Sequence, residues 1–466
     1  PDKGGPPTME LTLWNSAMLI TGAITALLTI KAQSGGSSKS SSSREFKNFQ
    51  MTFLICYYLA MLADWLQGPY VYALYSSYGF SKHDIAVLFV GGFGASMVFG
   101  TFAGAAADKL GRKRLCQAYC ILYILSCGTK HAKDYWMLMV GRITGGIATS
   151  LLFSSFESWM VCEHNARGHA ASDMGATFSL MYFGNSLCAI CAGMMAEAAA
   201  DLKKLTPVSE GSIWHYGGYC SPFDLSATVL VFALAFITMF WSENYGSKEQ
   251  SSTGCDQCDV VGKQISKDSR IGMVGLIVSL FEGSMYIFVF NWTPSIKSKD
   301  PPYGTIFAIF MIACMGGSSL FAILIKNHTP ESMLRFVFLV AGIALGSITF
   351  VSDPAMVLAA FLVFEAAVGI YFPAVGSVKS QVVPEESRAT IYNLFRVPLN
   401  AIVLGVLLNN LDTTTAFTIC GCMLIAAAAF QQLLNTMMGR PSAGREMLAT
   451  GDDKDSLMAK DSDAEP

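Results

Sequence analysis

The 466-residue sequence is poor in charge: Asp, Glu, Lys and Arg make up 14% of it, where a soluble domain carries about 25%. With 52% of residues apolar, that scarcity excludes a water-solvated surface over most of the chain. A surplus of either sign is also missing, since 31 basic residues face 34 acidic ones. No large basic patch stands out, and no nucleic-acid partner is expected. The thirteen cysteines do not read as a disulfide framework, because eleven lie in or beside apolar runs, where Cys acts as a small core hydrophobe. Cys188/Cys191 and Cys255/Cys258 have CxxC spacing, but one pair falls inside a helix at membrane depth and the other in a loop. A shared zinc is therefore not expected, nor is any other metal or cofactor.

What the sequence has instead is apolar runs. A spanning helix needs roughly 20 mostly apolar residues to cross about 30 Å of hydrocarbon. Thirteen segments qualify: a leading helix near 11–30, then twelve core helices near 50–75, 84–106, 115–129, 135–158, 174–200, 222–241, 271–292, 304–325, 333–351, 355–377, 389–409 and 414–437. The expectation is an all-α, multi-pass membrane protein with the lipid bilayer as its solvent, the cell membrane being the expected location. The leading run could be a signal peptide, but Lys31 follows it directly and no clean small-residue cleavage site precedes it, which favours a retained anchor. Residues 1–49 then hold this helix and a Gly/Ser/Lys linker over 34–43. The longest polar stretch inside the core, 242–270, divides twelve helices into halves at 50–241 and 271–438, and the acidic, Ser-rich tail 439–466 reads as disordered.

Lys and Arg accumulate in alternate loops, thirteen (Lys109, Arg112, Lys113 and Arg114 among them) against seven, and the segment after the leading helix adds Lys31, Lys39, Arg44 and Lys47 to the richer side. Basic loops stay cytoplasmic, so the N-terminus is expected outside and the tail inside. Asn327-His-Thr329 is a glycosylation sequon on the side assigned to the cytoplasm. The halves also echo each other: Thr177-Phe-Ser-Leu-Met-Tyr-Phe-Gly-Asn185 and Thr390-Ile-Tyr-Asn-Leu-Phe-Arg-Val-Pro398 keep Thr and aromatic positions nearly in step.

Between core helices 2 and 3 stands Gly104-Ala-Ala-Ala-Asp108-Lys109-Leu-Gly111-Arg112-Lys113-Arg114. Gly104 permits close helix approach, Gly111 a tight reversal, and the basic run holds the turn in the cytoplasm. Asp108 ends its own helix, where the dipole disfavours an anion, so it needs another partner. The stretch resembles the signature of the major facilitator superfamily. The resemblance implies two six-helix halves with a substrate site at their interface near the bilayer midplane. It also implies that Asp108 meets the start of core helix 11 in the outward-facing state, as part of a latch with Gly104, Gly111, Arg112 and Arg114. A turn used only for topology is the alternative. The second half retains little of the motif in Lys326-Asn-His-Thr-Pro330, so any latch is one-sided.

Ionisable groups at membrane depth are expensive and face a cavity or a partner. Asp64, Glu282 and Glu365 fall within helices, Glu157 toward the inner end of core helix 4, and Arg142 and Arg396 within core helices 4 and 11; Glu197 falls near the outer end of core helix 5, where it can be simply interfacial. Proton occupancy of a buried carboxylate responds to desolvation and to nearby cations, so Asp64, Glu282, Glu365 and Glu157 are candidates for proton coupling or for static ion pairs with Arg142 or Arg396. Tyr70 and Tyr286 belong to aromatic stripes that suit helix packing or a substrate box. Arg396 is the candidate anion contact, because a guanidinium stays charged and offers two hydrogen bonds to an oxyanion; a structural ion pair is its alternative. Pro398 permits a kink beside it. Arg142, followed by Gly145 and Gly146, resembles the helix 4 arginine pattern of the superfamily.

Several stretches together resemble the molybdate-anion transporter family within that superfamily: Asp64-Trp-Leu-Gln-Gly-Pro-Tyr70, the loop motif, Leu151-Leu-Phe-Ser-Ser-Phe-Glu157-Ser-Trp159 with Glu163-His164, Phe281-Glu282, Phe288-Val-Phe-Asn-Trp-Thr-Pro294, Tyr371-Phe-Pro373 and Asn393-Leu-Phe-Arg396-Val-Pro398. The resemblance covers the leading helix and the whole core. It implies uptake of molybdate or a similar oxyanion by alternating access, with Arg396, Asn393, Arg142, Tyr70 and Tyr286 as candidate contacts, and no enzymatic activity. The helical acids outnumber the helical arginines, which keeps open a proton-coupled carrier of a small organic solute, and a transporter-shaped receptor or scaffold without flux.

Overall fold

The computed structural model describes residues 8–33, 43–245, 268–298, 300–351, 353–384, 388–409 and 411–438. The Cys255/Cys258 pair, most of the 34–43 linker, most of 242–270 and the tail 439–466 lie outside the described residues, as do the side chains of Gly104, Asp108 and Asn393. The leading helix is α1 (Thr8–Gln33). Helix α2 (Arg44–Gln67) runs through a short 3₁₀ turn at Gly68–Tyr70, where Pro69 interrupts the ladder, into α3 (Val71–Ser77). Helices α4 (Lys82–Leu110), α5 (Arg112–Thr129), α6 (Tyr135–Ala166) and α7 (Ala171–Asp201) follow. A small hairpin of β1 (Thr206–Pro207) and β2 (His215–Tyr216) precedes α8 (Ser221–Phe240). The second half is α9 (Ser269–Ser295), α10 (Tyr303–Leu324), α11 (Pro330–Ser347), α12 (Pro354–Val382), α13 (Arg388–Leu408) and α14 (Thr413–Met438).

Among the described residues, 11 helical spans are long and apolar enough to cross a membrane. The two expected helices that fall short do so for visible reasons. Helix α5 opens on Arg112, Lys113 and Arg114, and α13 carries Arg388 and Arg396, leaving Leu394–Leu408 as its apolar part. Both are flanked by long spans and held by them: α5 packs on α6 and α8, and α13 on α9 and α4. Sequence-encoded caps set several starts. Ser81 and Asp84 form a reciprocal capping box on α4, Asp134 caps α6, and Thr329-Pro330 and Asp353-Pro354 combine a cap with Pro in the first turn. The hairpin was not foreseen; it hangs on the α5–α6 turn through His215 N donating to His131 O at 2.7 Å.

Two hydrophobic clusters form the interior. One joins the first-half helices and takes in Phe290, Leu399, Val403 and Leu407 from α9 and α13. The other is built from the second half and takes in Trp14 of α1. Helix α1 thus docks on the second half although it precedes the first. Thr25 Oγ1 donates to the Ile312 carbonyl at 2.9 Å against Gly316, and Thr29 Oγ1 shares a 2.9 Å hydrogen bond with Ser319. Small residues and interhelical hydroxyl bonds are what joins helices when apolar burial gives no preference for protein over lipid.

Candidate functional site

The halves meet along α7 on α10 and α4 on α13, and these contacts gather toward the end of the bundle opposite Gly111. Gly193 and Gly304 bring α7 and α10 together backbone to backbone: a Cβ on Gly304 would stand 2.2 Å from the Gly193 oxygen. One turn along, Glu197 of α7 accepts hydrogen bonds on a single carboxylate oxygen from Tyr70 Oη (2.7 Å), Gly304 N (2.7 Å) and Thr305 N (3.3 Å). A first-half carboxylate therefore caps the N-terminus of a second-half helix, using donors that a helix start leaves free. Tyr219 and Tyr303 pack on Tyr70, Tyr72 and Phe89 on Phe290, and Trp65 on Phe307. Lys82 Nζ donates to the Leu411 carbonyl at 2.9 Å. Tyr70 thus lies in the seam between the halves, and Glu197 is hydrogen-bonded across it.

Below this seam Glu282, Lys379 and Arg396 of the second half lie near one another. On α9, Glu282 precedes Tyr286 by one turn, so both present one face. Tyr371 Oη of α12 donates to Glu282 Oε1 at 3.0 Å, and Lys379, two turns further along α12, brings its Nζ within 3.7 Å of the same oxygen. Lys379 also lies over the Tyr392 ring of α13, 5.2 Å from its centroid. Tyr286 sits in the field of both Glu282 and Arg396 and packs edge-on against Phe93 of α4, centroids 5.0 Å apart. Ser279 Oγ, donating to the Phe395 carbonyl at 3.1 Å, and Gly275 beneath the Phe395 ring fasten α9 to α13. Arg396 itself is exposed in mid-helix; its Nη1 comes 3.5 Å from the position of a Cβ on Gly100 of α4. Among the described residues the Arg396 guanidinium makes neither a hydrogen bond nor an ion pair.

The remaining candidates lie apart from this cluster. Asp64 accepts a 2.5 Å hydrogen bond from Tyr123 of α5, within the first half. Arg142 donates from Nε to the Leu88 carbonyl at 3.2 Å, stacks over Phe89 and fills the space above Gly92. Neither makes the arginine–carboxylate pair considered for it. Glu365 is buried on α12 near Cys314 of α10, with no hydrogen bond or ion pair among the described residues. Glu157 is exposed on α6, in the neighbourhood of Tyr57 and Tyr182. The ion pair that does form at mid-bundle uses Lys379. The apolar run at 355–377 ends before that residue, so in sequence it reads as a loop cation, yet α12 continues to Val382.

At the other end, Gly111 turns the chain at φ 102°, where a Cβ would meet Glu243. Glu243 accepts from Lys113 N at 2.9 Å and Arg114 N at 3.3 Å, capping α5, and Arg112 N donates to the Asn244 carbonyl at 3.0 Å. Trp159 stacks on Trp241 at 3.8 Å, and Glu163 receives Ser242, Asn244 and Arg167. The Ser242-Glu243-Asn244 segment, read from sequence as the start of a linker, is thus, with Trp241 at the end of the preceding helix, a clasp on the loop motif.

Packed spanning helices in two contacting sets, sealed at one end and holding charged side chains at mid-depth, define an integral multi-pass membrane protein of the secondary transporter class, not an enzyme. A family model for sugar transporters with 12 transmembrane segments, of the major facilitator superfamily, matches residues 16–371. The D-xylose-proton symporter shares the fold at a TM-score of 0.64 and 13% identity, over 82% of this chain and 97% of its own. Molybdate-anion transporters from Xenopus tropicalis and Xenopus laevis are 36% and 35% identical, each over 87% of this chain and 90% of the relative. The chain belongs to the molybdate-anion transporter family of the major facilitator superfamily.

Proposed function

We propose that this transporter takes up molybdate, a tetrahedral oxyanion, across the cell membrane by alternating access, with Arg396 as its principal anion contact. The observation that carries this reading is the mid-helix guanidinium of Arg396, which has no counter-ion among the described residues and faces α4 across the interface of the halves. An unpaired cation at membrane depth is costly, and a ligand anion offsets that cost when it arrives. The planar fork suits two oxygens of one tetrahedral anion. Tyr286 lies in the field of both Arg396 and Glu282, and Tyr371 donates to Glu282. The names of the relatives support molybdate in particular, and the basic loops support an orientation in which the sealed end faces outward. In this state the site would release inward.

The mid-bundle carboxylates support proton coupling as part of the same cycle, Glu282 foremost because it shares the Arg396 cluster. Purified full-length protein in liposomes should take up molybdate, and Arg396→Ala should lower uptake at least tenfold while leaving the melting temperature near that of the parent. Uptake unchanged by the substitution would remove the site assignment. Preferential uptake of a neutral or cationic organic solute, tested in parallel, would remove the oxyanion reading.

A further inference from the structure

The charge balance around Arg396 fits a dianion only when one group changes its protonation. Among the described residues, two cations, Arg396 and Lys379, share the cluster with one carboxylate, Glu282. With Glu282 ionised, Lys379 is committed to it at 3.7 Å, and a single positive charge is left over. A tetrahedral dianion bound there would leave one negative charge unmatched, which is unfavourable at membrane depth. Once Glu282 is neutral, the surplus is two.

We propose that Lys379 is the second anion contact and the determinant of dianion over monoanion, and that Glu282 controls its availability. This rests on the oxyanion reading given above. A proton taken from the open side binds the Glu282 carboxylate and ends its attraction for Lys379. The neutral acid keeps Tyr371 as a hydrogen-bond partner. The freed ammonium, on a flexible four-carbon stem and lodged over the Tyr392 ring, swings toward the ligand held by Arg396. Tyr392 stands one turn before Arg396 on α13, so the cation already rests against the helix that carries its partner. Release reverses the order: the dianion leaves, Lys379 returns to Glu282, and the proton departs to the same side. One proton thus accompanies each dianion.

The groups facing Glu282 permit this assignment. Tyr371 and Lys379 from α12 touch it, Tyr286 follows it by one turn on its own helix and also feels Arg396 of α13, and Tyr392 of α13 lies under Lys379. From α14, Cys420 reaches the Ser284 carbonyl on another face of α9. Among the described residues, Lys379 is the cation in direct contact with the carboxylate.

The test uses full-length protein in liposomes, with molybdate as the dianion and perrhenate as a tetrahedral monoanion. Lys379→Met should cut molybdate exchange about tenfold or more and reverse the preference toward perrhenate, while Lys379→Arg should restore the dianion preference. Glu282→Gln should lose the acceleration of molybdate exchange by an acid-outside gradient. A molybdate to perrhenate ratio unchanged in Lys379→Met, or a full gradient response in Glu282→Gln, would overturn the proposal. Should Lys379→Met fail to insert, Lys379→Gln carries the same expectation. The oxyanion reading fails separately, when wild-type protein moves no molybdate or Arg396→Ala moves it normally.

Discussion

Replacing Gly304 by Ala should force the sealed end open. The new Cβ would stand 2.2 Å from the Gly193 oxygen, 2.8 Å from Glu197 N and 2.9 Å from Glu197 Cβ, roughly 0.5 Å to more than 1 Å inside ordinary contact. Backbone atoms are among these neighbours, so a side-chain rotation cannot relieve the clash; only separation of α7 from α10 can. Overpacking of this kind costs about 1–3 kcal/mol. All of that penalty falls on the closed state, because the contact exists only between the halves. The gate equilibrium should therefore shift by about 5–150-fold toward opening at this end. Hydrogen exchange measured by mass spectrometry on purified protein should show faster exchange in peptides covering 68–77 and 303–312, with peptides of α5 and α11 unchanged. Transport should slow, since the cycle must return to the sealed state. Unchanged exchange in those peptides, with transport intact, would refute the claim that the two glycines set the closure distance.

Glu197→Gln should loosen the same seam by about 1–2 kcal/mol, the difference between charged and neutral acceptors of hydrogen bonds; exchange at 303–305 identical to wild type would show that the carboxylate charge is irrelevant. In the α5–α6 turn, hydrogen bonding to the Asp224 carboxylate pushes His131 up to about 10 from an ordinary 6.5. A raised folded-state value stabilises fully below the unfolded value and fades as pH climbs through the folded one. The melting temperature of wild type should therefore exceed that of Asp224→Asn near about pH 6 and converge with it near about pH 10; a gap constant across that window would sink the assignment. Gly111→Ala should cost about 1–3 kcal/mol through its positive φ and its collision with Glu243, read as a drop in melting temperature; full stability would mean the turn can relax.

Much of this architecture was legible because membrane helices announce themselves by length and apolarity, independent of what they pack against. The loop motif was legible for a related reason, since a Gly at a reversal and a basic run are local requirements. Side-chain partnerships were not. Lys379 carries the signal of a loop cation until α12 is seen to continue past Pro373 to Val382, where pairing with Glu282 makes its burial tolerable. Glu197 looked interfacial because its partners are backbone N–H groups, which no residue type reveals. Gly193 and Gly304 look like any helical glycines until their helices cross. Arg142 reads as an ionic group but is satisfied by a carbonyl and a ring. The hairpin over α5–α6 falls between runs, where hydropathy says nothing about which turns pair.

The central claim, an oxyanion held by Arg396, is tested most directly by locating the ligand. Anomalous scattering at the molybdenum edge from crystals of molybdate-soaked protein should show a single peak between α4, α9, α12 and α13, with molybdenum within about 4–5 Å of the Arg396 guanidinium, the reach of one oxygen and one hydrogen bond. Loss of that peak in Arg396→Ala crystals would complete the assignment. A peak beside Arg142 or in the first half, or one that persists without Arg396, would contradict it.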